Sequence, residues 1–396
     1  YKGGFDVVIG NPPYVFARDN FNQIEKDFYE KNYESVKYQI NTYLLFVEKT
    51  IHLIRNGGIY GLIIPNSWLM MYSGENLRKL LLDTNKILEI INLSGYSFES
   101  ANVETIILIS EKDKSKSKNE IDILLNKGEE FYKSHSRNQQ DFRKNDGLEF
   151  KVFLNDVSTD LSNKFKKGST DLNDLVFIKS GLKAYEKNKG NPLQTAEDVK
   201  NRPYDYDYKF DDETYKYLEG KDVSRYSLEW NGLFLKYGDH LAAARTPNLF
   251  DGEKLIVREI TGKFPKSIIS TYSNEHYLFN MSNISLIPRN DVDISLKYVL
   301  VILNSKLIAY YFLKNTAKSV RKMFPKIILK DLRKFPIKYI SLSRQQPFIK
   351  KADQMLALNK ELQEKTSKFQ RSLKRQFPDE LEKLPKKLQY WYELSF

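Results

Sequence analysis

The chain has no cysteine and only four histidines, His52, His135, His240 and His276, in 396 residues. Without thiols there are no disulfides, no thiolate nucleophile and no cysteine-based zinc site, and four scattered imidazoles build no metal-ligand pattern. Long apolar runs are missing too. None approaches the roughly 18 residues of a membrane span, and the opening residues lack the charged-then-apolar order of a secretory signal, so the expected location is the cytoplasm, with no membrane partner. Acidic charge is also in short supply. The 51 Asp and Glu stand against 63 Lys and Arg, a net charge of +12, which suits a polyanion, nucleic acid before membrane, through counterion release. Lys-, Tyr- and Asn-rich composition also arises from an AT-rich genome, and both explanations stand at this point.

What is present is enough for two or three domains, with 41% hydrophobic residues and 26 Tyr and 24 Phe that supply stacking faces. One stretch organises the rest. Phe5 to Gly10 is a short apolar, β-branched run ending in Asn11-Pro12-Pro13-Tyr14, the pattern of a buried parallel strand that stops abruptly. Ligands of open α/β sheets lie beyond such strand ends. Residues 15–42 read as a loop and short helix over that end. Tyr43 to Ile54 carries helical spacing and stops at Asn56-Gly57-Gly58, where glycine would cap the helix. Ile59 to Pro65 repeats the strand-then-proline design, Gly74 to Asp83 reads as a helix, and Lys86–Leu93 and Val103–Ile109 as antiparallel neighbours. The run 111–119 reads as a solvated loop and Ile121–Leu125 as a strand, followed by mixed helical polar sequence. From Leu175 short strands and glycine turns prevail. Helices return at 296–312, and a long charged helix runs from Ser343 to about Arg375.

The turn has chemical content. Successive prolines fix φ near −65° and remove their N–H groups, so the Asn11 side chain and the Pro12 carbonyl face outward as two acceptors. An exocyclic amino group donates two hydrogens, and two fixed acceptors pull its nitrogen toward tetrahedral geometry, making it a nucleophile. Tyr14 adds a π-face, where base stacking is worth about 1–3 kcal/mol.

Asn11-Pro12-Pro13-Tyr14 resembles the signature of S-adenosylmethionine-dependent amino methyltransferases. The whole chain resembles an adenine-N6 DNA methyltransferase with a TaqI-like C-terminal specificity domain, as in type IIG restriction-modification enzymes. Gly57–Ser67 is similar to that family's next strand, and Phe98 ahead of Val103-Glu104-Thr105 to its target-base aromatic. Leu218–Tyr226, Leu303–Leu307 and Pro325-Lys326-Ile327 look like specificity-domain landmarks. The resemblance implies an α/β fold: the C-terminal half of a Rossmann-like methyltransferase sheet over 1–172, an α+β target-recognition domain over 173–340 and a helical segment over 341–396. It implies S-adenosylmethionine as cofactor and double-stranded DNA as partner. Asn11, Pro12, Pro13 and Tyr14 would be catalytic, with Tyr14 and Phe98 holding a flipped adenine. Lys183, Arg245, Arg258, Lys263, Lys318, Arg321 and Lys322, at expected turns or helix ends, are the candidate DNA contacts.

The family's glycine-rich cofactor loop and its ribose-binding acid lie on earlier strands, and no Gly-x-Gly occurs in this sequence. The expectation is therefore a C-terminal fragment whose donor site, with any nuclease domain, lies upstream of Tyr1. Protein glutamine methyltransferases carry the same tetrapeptide, so that activity stays open, as does a catalytically inert DNA-binding specificity module.

Overall fold

The computed structural model describes residues 3–15, 21–36, 39–93, 104–113, 118–127, 130–316, 326–377, 385–389 and 391–393. The chain forms two compact units, 1–165 with 311–325, and 166–310 with 326–396.

The first unit is built on a six-stranded mixed sheet of β1 (Phe5–Gly10), β2 (Ile54–Pro65), β3 (Asn85–Asn92), β4 (Thr105–Lys112), β5 (Glu120–Lys127) and β6 (Glu130–Asn138), in the order β1-β2-β4-β3-β5-β6. β1 and β2 run parallel, and β4 lies antiparallel between β2 and β3, as expected of the 86–109 pair. Helices α1 (Gln23–Asn32), α2 (Thr42–Leu53) and α3 (Glu75–Thr84) accompany the sheet. The apolar face of α2 (Leu44, Val47, Ile51) and that of α3 (Leu77, Leu81) meet Tyr60, Leu62, Ile64, Ile90, Ile106 and Leu108 in one core. This is the helical-period stripe packed on alternate strand residues.

Three expectations change. β1 is parallel to β2 but lies at the sheet edge, where Phe5, Val7 and Ile9 are 48%, 60% and 85% exposed rather than buried. An apolar composition specifies a strand, and the neighbours it receives are a non-local matter. Second, Gly57-Gly58 caps no helix: α2 ends at Leu53 and β2 begins at once. The pairing of β1 with β2 skips residues between Ile54 and Ile59; Gly57 takes φ +74°, and a Cβ on Gly58 would stand 2.6 Å from Ile54 Cγ1, so the glycines serve a bulge. Third, β6 replaces part of the mixed helical sequence, closing a hairpin with β5; its segment Glu-Phe-Tyr-Lys-Ser-His-Ser-Arg-Asn is exposed or half-exposed throughout and has no two-residue alternation to announce it.

Arg78 on α3 is 1% exposed and ties three turns. Nη1 donates to the Trp68 and Met71 carbonyls, and Nε and Nη2 donate to the Gly147 carbonyl. Burial lowers its guanidinium to about 10 against the pull of Glu149 and Glu75.

The second unit contains an antiparallel sheet of β7 (Val176–Ser180), β8 (Lys254–Arg258), β9 (Ser270–Ser273) and β10 (Asn283–Pro288), ordered β9-β8-β10-β7. A smaller sheet joins Asp205–Tyr206, Thr214–Leu218, Phe234–Lys236 and Leu278–Phe279. Helices α4 (Leu296–Leu303) and α5 (Leu342–Gln376) follow. α5 is the long charged helix expected. Its start is clamped by buried Gln345, which donates to the Ile340 and Asp293 carbonyls and accepts from the Ser295 N–H at the head of α4. No single helix among the described residues is long and apolar enough to cross a membrane.

Lys254 lies fully buried in β8, its Nζ donating to the Gly252 and Glu275 carbonyls at 2.9 and 2.7 Å. Burial lowers its pKa to about 8, against Asp251 and Glu275, which raise it. The unfolded chain keeps this proton up to the ordinary value of 10.5, so between those two pH values it binds more protons than the fold, and stability rises with pH. Relative to a Lys254→Met variant, the wild type should gain about 3 kcal/mol across that window. Urea melts of both proteins at pH 7.5 and 10 would read the gain; parallel melts would refute it.

Candidate active site and candidate nucleic-acid interface

The Asn11–Tyr14 turn leaves β1 directly after Gly10. Asn11 and Pro13 are exposed, Pro12 is buried and Tyr14 is half-buried. Thr42, the first residue of α2, clips the turn: its Oγ1 donates to the Pro13 carbonyl and accepts from the Val15 N–H, while its own N–H donates to the Val15 carbonyl. The third carbonyl of the tetrapeptide is thereby spent, whereas no described residue donates to the Pro12 carbonyl. Thr42 was legible only as a polar residue ahead of an apolar helix.

The Tyr14 hydroxyl lies 2.9 Å from both Asn11 Oδ1 and the Ile63 carbonyl near the end of β2. One proton serves one acceptor at a time, and Oδ1 has a second lone pair, so the acceptor role of Asn11 survives this contact. Burial raises the Tyr14 pKa, which keeps the hydroxyl a donor at neutral pH. Its ring meets Tyr43 edge-on at 6.4 Å and 89°, and the Tyr43 hydroxyl lies 3.0 Å from Ser67 Oγ. Beyond β2, the Asn66 N–H donates to the Glu104 carbonyl and its side chain reaches Glu104 Oε2 at 3.4 Å. The ends of the two parallel strands thus form one constellation, with the turn fastened to it from both sides. Phe98 lies outside the described residues.

Four of the seven candidate DNA contacts are described, all in the second unit, and three meet at one end of its four-stranded sheet. Arg258 ends β8 opposite Asn283 of β10, whose carbonyl accepts from the Gly181 N–H at 3.0 Å. Arg245 Nε donates to the Gly181 carbonyl at 3.2 Å, and Lys183 exchanges two backbone hydrogen bonds with Ala243. Lys183 is ion-paired with Glu186 at 2.9 Å. Lys263 is exposed in the turn after β8 and has no ion-pair partner among the described residues. Lys318, Arg321 and Lys322 lie outside them.

Two residues there escaped sequence reasoning. Asn283 is 0% exposed, and among the described residues neither of its side-chain amide atoms has a hydrogen-bond partner; Arg258 Nε, across the ladder on the same face, is likewise shielded and unpartnered. Nothing in the sequence marks Asn283. Arg333 was also missed: with Arg245, Lys179, Asn248 and Phe177 it lines a cleft of about 760 Å³.

The landmarks 218–226 and 303–307 do come together. Arg225 Nη2 donates to the Asn304 carbonyl, and the Asn304 amide exchanges hydrogen bonds with the Ser270 backbone, which also accepts from the Tyr226 N–H at 3.0 Å. They form a structural clasp between the loop after Leu218 and the end of α4.

Residues 1–98 match the family model of the Eco57I restriction-modification methylase, 215–337 match the TaqI-like C-terminal specificity domain, and 341–396 match a domain of unknown function, DUF8810. Over 371 residues the chain is 26% identical to a putative type II restriction enzyme and methyltransferase of Methanocaldococcus jannaschii, covering 93% of this chain and 30% of that protein. Over 113 residues it is 32% identical to the type II restriction enzyme and methyltransferase RM.Eco57I of Escherichia coli, covering 28% of this chain and 11% of that one. The chain thus spans under a third of the length of either relative. In fold it is similar to the type IIL restriction-modification enzyme MmeI solved in complex with DNA, at 12% identity and a TM-score of 0.55, over 96% of this chain and 52% of that one. The chain joins an Eco57I-type restriction-modification methylase region to a TaqI-like C-terminal specificity domain.

Proposed function

We propose that this chain supplies the methyl-acceptor half and the sequence-reading part of an enzyme that methylates adenine N6 in specific double-stranded DNA within a restriction-modification system. The observation that carries the reading is the turn after β1, in which Asn11 is exposed and the Pro12 carbonyl accepts from no described residue. Two such acceptors take the two hydrogens of an exocyclic amine and leave its lone pair to attack the sulfonium methyl group in line; the C–S bond breaks with its electron pair leaving on sulfur as a neutral thioether, and the surplus proton passes to solvent. Tyr14, held by its hydroxyl, offers its ring to the base, with Phe98 as the second wall. Base flipping costs a few kcal/mol, and contacts from Lys183, Arg245, Arg258 and Lys263, with Lys318, Arg321 and Lys322, help supply it.

S-adenosylmethionine provides the electrophilic methyl group. The chain's own residues fit the acceptor better than the donor: the turn presents acceptors for an amine, while the sequence has no Gly-x-Gly turn to approach a nucleotide-like ligand. No residue of this chain is assigned to hold the ribose or methionine part of that cofactor.

The test uses the full-length protein with labelled S-adenosylmethionine, a library of duplexes and a glutamine-bearing protein substrate, followed by nucleoside and peptide analysis. Label in N6-methyladenine supports the reading. Label on glutamine would replace it with protein methylation, and DNA binding without transfer would leave an inert specificity module.

A further inference from the structure

Residues 341–396 match a family without assigned function. The second half of α5 faces the short hairpin Val223–Ser224 and Ser227–Leu228 across a groove of about 760 Å³. Thr366, Gln370 and Lys374 line it from one helix face at four-residue spacing. Ser224, Arg225 and Lys221 line it from the opposite side. Among the described residues its one acidic lining residue, Glu229, is engaged by the Gln363 amide at 3.2 Å. From residue 365 to 376 the helix carries Lys365, Lys368, Arg371, Lys374 and Arg375 and no Asp or Glu.

Two donors in the groove are left over. Arg225 places Nη2 on the Asn304 carbonyl, but its Nε is shielded from solvent without a partner among the described residues, and the same holds for the Thr366 hydroxyl. A buried donor without an acceptor costs about 1–3 kcal/mol, so both side chains gain by turning toward an incoming oxyanion. Residues 359–374 cover about 22 Å of helix, room for several phosphates of one strand.

We infer that this groove is a second DNA-binding site, a track for the phosphodiester backbone of duplex outside the bases that the specificity domain reads. It rests on the DNA reading above and goes beyond it, because it gives the 341–396 segment a task that carries no sequence information. The donors are hydroxyl, amide and guanidinium groups beside exposed lysines, of which Lys221 is ion-paired with Glu219 at 2.8 Å, a set suited to phosphate oxygens at any sequence.

The experiment measures binding of the full-length protein to a random-sequence duplex of about 30 base pairs by fluorescence anisotropy over a salt series. Wild type is compared with Lys374→Gln, Lys221→Gln/Lys374→Gln and Lys374→Arg. Lys221 and Lys374 are exposed, so folding tolerates these changes. Each neutralised lysine should lower the steepness of log K against log salt by about 0.9, and the double variant should bind about 60-fold more weakly at 0.1 M than wild type if the two agree at 1 M. Lys374→Arg should keep the wild-type slope. Unchanged slope and affinity in the glutamine variants, with wild type binding normally, would overturn the groove alone. No binding by wild type would overturn the DNA reading with it.

Discussion

Asn11→Ala in the full-length enzyme is expected to remove methyl transfer, by about 10³-fold in single-turnover rate, or about 4 kcal/mol of transition-state stabilisation. The expectation follows from where charge develops. As the amine attacks, its nitrogen becomes positive, and an acceptor at Oδ1 gains strength at that moment, so the loss falls on turnover more than on substrate binding. Asn11 is exposed, and alanine there deletes one contact to the Tyr14 hydroxyl, which retains the Ile63 carbonyl at 2.9 Å. The thermal transition should therefore move little. Asn11→Asp keeps an acceptor in the same place and should retain more activity than the alanine variant. Wild-type turnover in Asn11→Ala would remove the turn from the chemistry.

The second large effect is on stability. Arg78→Met should destabilise the first unit by about 3–5 kcal/mol. Three turns, at Trp68, Met71 and Gly147, converge on one guanidinium through four hydrogen bonds, and methionine fills the space without donating. Each buried carbonyl left alone costs about 1–3 kcal/mol. Lysine is no rescue, since one ammonium cannot reproduce the planar fork. Hydrogen exchange of α3 and β3 amides resolves the loss to the first unit; protection factors equal to wild type would refute it.

Much of the first sheet was legible because its signals are local. Ile59 to Pro65 is nearly continuous apolar sequence ended by proline, and Glu75–Thr84 carries a clear helical stripe. The turn at Asn11–Tyr14 was legible because two successive prolines after an apolar run mark it locally. Features settled by distant neighbours were hidden: the edge position of β1, the bulge that uses Gly57-Gly58, and β6, whose polar surface leaves no periodic trace. The same holds for the second unit. Arg245 and Arg258 were singled out as charges near turns, yet the isolation of Asn283 depends on what lies opposite it across the ladder. Arg225 and Asn304, read separately as landmarks, are partners only in three dimensions.

The first unit is discontinuous in sequence. The ring contact between Phe165 and Tyr311, at 6.3 Å, and the hydrogen bond from the Asn315 amide to Ser162 Oγ, at 2.9 Å, close it only after the chain has passed through the other unit. At about 5–20 residues per second on the ribosome, that detour lasts roughly 7–30 s. Closing a loop of this size costs about 4 kcal/mol if the intervening chain is unstructured. Prior folding of the specificity part shortens the effective loop and lowers that cost. The second unit is itself finished only by residues 326–396, so each unit receives its last segment after most of the other has been made.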